Sequence, residues 1–411
     1  MTNKTARFLV ACMAGLLSAT TVARGEEART VEAVAKELRT GEPTTIVAFG
    51  DSITGVYYHT GGRRAWADML AIALEKTFPR ARIAMHNAGI SGHTSAQGLA
   101  RIENDVLAKK PDLVVVMFGM NDAARGSLEE FDKNLREIVR RCRRAGAAVV
   151  LSTPNSVYEN PHRPTARLAE FAETVRRVAK ELNAPLADSY LAYEALRAKD
   201  ENAWRMLMSE TIHPNMNGHR LFAEVMAETI TGKRVSLDDV PPPDDSLRFT
   251  LENLRAGRPV TIVAPAPYDL ILPKLLKERF GDAEIKTVSW PMEDVSLADC
   301  QRWAAKVRGL NPTLVAVAIP VAVDAASDEE FIRQSMWTLA QCAAFGAAQW
   351  DLLPILPNLA AEIPPEKKRL HETFASEVLK GCDYEIVARE AGDTRTAEEI
   401  LGAWVDKVLE R

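Results

Sequence analysis

Thr44-Thr45-Ile46-Val47-Ala48-Phe49-Gly50-Asp51-Ser52 is the stretch that decides the fold. It is short, rich in β-branched and apolar residues, and stopped by a Gly-Asp turn, which is the signature of a buried strand rather than a helix. Working outward, the same unit recurs. Apolar runs at Arg82–Asn87, Asp112–Phe118, Ala147–Thr153 and Pro185–Asp188 alternate with amphipathic stretches at Arg63–Phe78, Ser95–Lys109, Leu128–Ala145, Pro164–Leu182 and Asn215–Ile230. Strands alternating with helices predict a mostly parallel sheet wrapped on both faces, a doubly wound α/β sandwich of three layers. Ligands bind beyond the carboxyl ends of the strands in such a sheet, so the residues leaving each strand are the place to look for chemistry.

Four exits stand out. The first strand runs into Gly50-Asp51-Ser52, which puts a hydroxyl on a tight turn; taken alone, a Ser or Asp there reads as a helix cap before it reads as a nucleophile. The second ends in Asn87-Ala88-Gly89-Ile90-Ser91-Gly92, where Gly89 lets the backbone approach a substrate or simply makes a glycine turn. The third ends in Gly119-Met120-Asn121-Asp122, with Asn121 a turn former on its own merits. The last is Glu210-Thr211-Ile212-His213-Pro214-Asn215, in which Pro214 opens a helix and holds His213 extended in the loop that enters it.

Together, in this order, these segments resemble the SGNH, or GDSL-like, hydrolase family over about residues 44–230. The resemblance implies a flavodoxin-like three-layer sandwich and a serine esterase. It puts the nucleophile on Ser52 and the catalytic histidine on His213. The oxyanion donors it implies are the backbone N–H groups of Ser52 and Gly89 and the side chain of Asn121. One position departs from the family's pattern: the acid three residues before the histidine is usually Asp, and here it is Glu210, one methylene longer. A serine hydroxyl is a poor nucleophile at neutral pH, so His213 has to take its proton, while Glu210 fixes the imidazole tautomer. Should Glu210 be misplaced, a Ser52/His213 dyad oriented by a backbone carbonyl is the fallback. Tyr57, Tyr58, His59 and His93 follow these motifs closely and are candidates to line a substrate pocket, or ordinary loop residues. Asp51 and Asp122 read as turn caps, His219 as structural, and Trp66 and Trp204 as core. The chain has no HExxH, paired-cysteine, GxGxxG or Walker motif, so neither a metal nor a nucleotide cofactor is implied.

At 411 residues the chain is long enough for two domains. Lys4 and Arg7 before the apolar run 8–23, with Ala23-Arg24-Gly25 as a cleavage site, read as a secretory signal over residues 1–25. Export to the periplasm or the exterior follows from that reading, with acylation of Cys12 as a minor alternative and no stable membrane span. Loss of residues 1–25 removes three basic residues and no acids, moving the formal charge from −5 to −8, which speaks against a nucleic-acid partner. The remaining Cys142, Cys300, Cys342 and Cys382 fit neither a disulfide framework nor a zinc site and read as buried apolar residues.

Residues 26–234 are then the catalytic domain, 235–244, with Pro241-Pro242-Pro243, a stiff and solvated linker, and 245–411 a second domain. The second half echoes the first. Leu38-Arg39-Thr40-Gly41-Glu42-Pro43 returns as Leu254-Arg255-Ala256-Gly257-Arg258-Pro259, Ser127 to Phe131 as Ser327 to Phe331, and Cys142 with Gly146 as Cys342 with Gly346. Where the first copy has Ser52 and Asn121, the second has Tyr268 and Ala322, so the sandwich is expected twice, the second copy degenerate and without chemistry. The expected substrate is a small acyl ester or an acylated carbohydrate, since the resembled family includes many exported sugar O-acetyl esterases. The alternatives are a lipase or thioesterase for longer acyl chains, and a glycan-binding or scaffold protein. The oligomeric state is not legible.

Overall fold

The computed structural model describes residues 29–243, 246–290, 295–345 and 349–411; the expected signal segment, with Cys12, lies outside them. Five parallel strands form the first sheet: β1 (Pro43–Gly50), β2 (Arg82–Gly89), β3 (Leu113–Met117), β4 (Ala148–Ser152) and β5 (Leu186–Ala187), in the order β2-β1-β3-β4-β5. Every apolar run read as a strand is one. The central strands β3 and β4 are buried along their whole length, as strands covered on both faces must be.

Helices α1 (Val31–Thr40), α2 (Trp66–Thr77), α3 (Ser95–Asp105), α4 (Met120–Arg125), α5 (Leu128–Arg144), α6 (Thr165–Glu181), α7 (Ser189–Lys199), α8 (Glu201–Arg205) and α9 (Met216–Thr231) connect and cover these strands. Of these, α1, α4, α7 and α8 have no counterpart in the sequence reading. α4 is the instructive one, because the Gly-Met-Asn-Asp stretch expected to turn is instead a short helix launched from Gly119. The φ of +125° at Gly119 is a conformation that only glycine adopts without strain.

A second sheet of four parallel strands, β6 (Val260–Pro265), β7 (Ile285–Trp290), β8 (Leu314–Val317) and β9 (Asp351–Pro354), has the order β7-β6-β8-β9. Around it lie α10 (Arg248–Arg255), α11 (Tyr268–Phe280), α12 (Leu297–Val307), α13 (Asp328–Cys342), α14 (Ala375–Lys380) and α15 (Ala397–Leu409). Tyr268, at the exit of β6, is buried in the core of this half rather than presented to solvent. All four cysteines of the described residues are buried and free.

The halves are joined tightly. Arg64 donates two hydrogen bonds of 2.8 Å to the carboxylate of Asp383, whose side chain is fully buried, so an ion pair is closed off from water at the junction. Tyr58 and Met206 of the first half pack against the core of the second. The segment expected as a solvated linker also differs from expectation. Leu237 is fully buried, and the carbonyls of Pro241 and Pro243 accept from Arg64 and Arg63, so residues 235–243 are pinned along the first half by its need for acceptors.

Candidate active site

Register assembles the site. Gly50 pairs with Gly89 on one side and with Met117 on the other, so β1, β2 and β3 end at the same level and their exits share one edge of the sheet. The strand order reverses across β1, which makes this edge a topological switch point, where open α/β sheets bind ligands. Ser52 sits half-buried on the turn leaving β1, its backbone N–H without an acceptor among the described residues.

His213 comes from the opposite side, in the loop between α8 and α9. Its Nε2 lies 2.9 Å from the Ser52 Oγ, and its Nδ1 lies 2.5 Å from Oε1 of Glu210. The extra methylene of Glu210 is absorbed by the loop's own closure. The His213 carbonyl accepts from the Ser209 N–H at 2.8 Å, and the Glu210 carboxylate folds back to accept the His213 backbone N–H, also at 2.8 Å. Burial opposes the charge on Glu210, but its hydrogen bonds to His213 and the electrostatic interaction with that residue outweigh it and hold the carboxyl below its ordinary range. Glu210 is therefore ionised at neutral pH, and the arrangement is a hydroxyl, an imidazole and a carboxylate in line.

Gly89 and Asn121 both abut the turn that carries Ser52. A Cβ on Gly89 would lie 2.2 Å from the Gly55 nitrogen, so close backbone approach is what requires a glycine there. Its N–H donates to Oδ1 of Asn87 at 2.9 Å. The Asn121 amide nitrogen donates to Asp51 at 3.3 Å and to the His93 carbonyl at 3.1 Å, while its oxygen accepts from Arg163 at 3.1 Å. Of the three expected oxyanion donors, only the Ser52 N–H is uncommitted, and the other two hold intramolecular partners. Asp51 is buried, which raises its pKa to about 6, and it accepts from the Ile53 N–H as a turn cap does. Asp122 caps α3 through Ser95.

The pocket candidates separate. The Tyr57 hydroxyl accepts from the Ser91 N–H at 2.9 Å and ties the loops after β1 and β2 together. His93 lies on the loop after β2, its Nδ1 accepting from Arg101. His59 is buried: its ring stacks on that of His213 at 4.0 Å and 10°, and its Nδ1 lies 2.9 Å from the Ser209 hydroxyl. Burial and the neighbouring His213 keep it neutral. His59, Glu210 and His213 have ligand atoms within 4.8 Å of one another, the one such group among the described residues. His59 Nδ1, both ring nitrogens of His213 and Oε1 of Glu210 are each within hydrogen-bond distance of a partner inside the protein. Arg163 and Ser209, which orient Asn121 and His59, carried no sequence signal, because nothing in their spacing links them to the motifs.

His219 is structural, as expected. It is buried, and its Nδ1 accepts the Trp66 backbone N–H at 2.9 Å. Burial, then the charge of His213, lowers its pKa to about 3. The unfolded chain therefore binds a proton at this position below pH ~6.5 that the folded chain refuses, so the stability contributed here is whole above that pH and is lost on acidification. His219→Asn, which keeps an acceptor for Trp66, should lose about 2 kcal/mol less stability than wild type between pH 7 and pH 5 in urea unfolding. Equal losses in both proteins would contradict a buried neutral imidazole.

The family model described as GDSL-like lipase/acylhydrolase matches residues 48–221. An acetylxylan esterase of Geobacillus stearothermophilus is 30% identical over 170 residues, covering 38% of this chain and 76% of that protein. A lipoprotein of Bacillus subtilis is 29% identical over 205 residues, covering 42% and 81% of the two chains. The thioesterase 1/protease 1/lysophospholipase L1 of Escherichia coli K12 is 27% identical over 194 residues, covering 47% and 86%.

Proposed function

The chain belongs to the GDSL-like lipase/acylhydrolase family and hydrolyses esters, and from that premise we propose that Ser52 is its nucleophile, His213 the general base and Glu210 the orienting acid. The observation that carries this reading is the unbroken relay from the Ser52 Oγ through the imidazole to the carboxylate, at 2.9 and 2.5 Å. His213 takes the hydroxyl proton as Ser52 attacks the acyl carbon. The tetrahedral oxyanion forms against the Ser52 N–H, with Gly89 and Asn121 turning their donors from Asn87 and Asp51 to share it. His213 then protonates the leaving alcohol, and water activated by the same imidazole releases the acyl group.

The preferred substrate is a short acyl ester of a carbohydrate, supported by the acetylxylan esterase relative. Export is proposed with it, on the leader-like residues 1–25 and the lipoprotein relative; no helix among the described residues is long and apolar enough to cross a membrane. The second half is read as a degenerate copy without chemistry. Its support is the shared strand order and the buried Tyr268 at the exit of β6. A chromogenic ester series from acetyl to octanoyl tests the acyl preference. Its kcat/KM should fall steadily as the chain lengthens, whereas a maximum at octanoyl would favour a thioesterase or lysophospholipase instead.

A further inference from the structure

A row of four aromatic rings runs from the second half of the chain to the imidazole of His213. That imidazole is stacked on the ring of His59, 4.0 Å between centroids and 10° between planes. His59 in turn lies 4.0 Å from the ring of Tyr58, and Tyr58 lies 5.2 Å from the ring of Phe345, edge to face. The Arg308 guanidinium sits over the last two rings, 4.6 Å from Tyr58 and 4.3 Å from Phe345, and its Nε and Nη2 have no hydrogen-bond partner among the described residues. Phe345 and Arg308 belong to the second half, the other three rings to the first.

The row meets a mechanical need. Glu210 and Ser52 hold His213 by its two ring nitrogens, at 2.5 and 2.9 Å. Two contacts define a line through the ring, and rotation about that line is restrained only by the side chain's own torsions. A second ring lying parallel on one face blocks that rotation. The base has to keep one orientation through successive proton transfers, because a displacement of about 1 Å at a reacting group costs on the order of a hundredfold in rate.

His59 is itself pinned. Ser209 uses its backbone N–H to hold the His213 carbonyl at 2.8 Å, and its hydroxyl lies 2.9 Å from Nδ1 of His59, so one residue ties both rings. The turn that follows His59 is pressed against the second half: a Cβ on Gly61 would lie 1.9 Å from the Cys382 carbonyl oxygen, and the Tyr384 hydroxyl donates to the Gly61 carbonyl at 3.2 Å. Burial first, and His213 after it, keep His59 uncharged, so the imidazolium formed in the reaction meets a neutral ring and not a second cation.

We propose that His59 is a positioning residue for His213, and that the second half of the chain, through Phe345 and Arg308, holds the row of rings in place, so that both halves build one working imidazole. This rests on the reading of Ser52, His213 and Glu210 given above. The second half thereby acquires a part in catalysis without a reacting group of its own.

The test uses the full chain and 4-nitrophenyl acetate. His59→Ala should lower kcat about 10- to 100-fold and leave KM within about twofold, because the base is displaced while the substrate keeps its own contacts. His59→Phe, which restores a ring without the Nδ1 contact, should return kcat to within about fivefold of wild type. Phe345 is exposed, so its truncation disturbs the row without opening a core; Phe345→Ala and Arg308→Ala should each lower kcat about three- to tenfold at constant KM. The rate at which a fluorophosphonate labels Ser52 should fall in parallel in each variant. Wild-type kcat in His59→Ala, a loss that His59→Phe does not recover, or a change confined to KM overturns the positioning role. Wild-type kcat in both Phe345→Ala and Arg308→Ala overturns the part given to the second half. Label on a residue other than Ser52 in the wild type rejects the Ser52 reading itself, whereas labelling of Ser52 at the wild-type rate in His59→Ala rejects the positioning alone.

Discussion

Ser52→Ala should lower kcat for acetyl esters by about 10⁶ while leaving the circular dichroism spectrum unchanged. The Oγ is the proposed nucleophile: it lies 2.9 Å from the imidazole nitrogen that would take its proton as it attacks. Removing it leaves His213 and Glu210 in place, so the residual rate measures what a base and an oxyanion donor achieve with water alone. The Ser52 backbone N–H also survives the substitution, and some advantage over the uncatalysed reaction therefore remains. A drop of less than about tenfold would mean that another group attacks the ester.

Glu210→Gln should cost a factor between about 10 and 10⁴ in kcat. The substitution keeps the shape of the loop but removes the charge that stabilises the imidazolium. It also lets the amide donate to Nδ1, which would place the imidazole proton on Nε2 and leave Ser52 without an acceptor. Because the carboxyl is held below its ordinary range, this loss should be uniform across neutral pH rather than confined to one limb of the profile. Glu210→Asp should be intermediate, since the shorter side chain cannot reach both the backbone N–H and Nδ1 of His213. Full activity in Glu210→Gln would leave a Ser52/His213 dyad.

The first sheet was legible because its strands are apolar runs bounded by turn residues, a pattern that local sequence dictates. From the strands followed their exits, and the resemblance to the SGNH hydrolases picked Ser52, Gly89 and Asn121 out of those exits and His213 out of the loop before α9. Less legible was everything that depends on distant partners. His59 sits two residues after Tyr57 in an unremarkable loop, and only the folded chain brings its ring onto His213. α4 was read as a turn because its short sequence has turn composition, and it is the φ of Gly119 that starts the helix. The involvement of the second half was hidden for the same reason. The Met216 N–H donates to the Gly381 carbonyl at 2.8 Å and the Asn217 amide to the Glu377 carbonyl at 3.0 Å, so the start of α9, just after His213, is seated on the other half of the chain. The Tyr58–His59 turn likewise leans on Trp337 and Phe345. No motif spacing encodes such contacts, which depend on how two sheets happen to dock.

The most direct test of the relay is to treat the full-length protein with a fluorophosphonate and map the adduct by peptide mass spectrometry. One stoichiometric label is expected, on the peptide that carries Ser52, absent from Ser52→Ala and strongly slowed in His213→Ala. A label on any other serine, or undiminished labelling of Ser52→Ala, would contradict it.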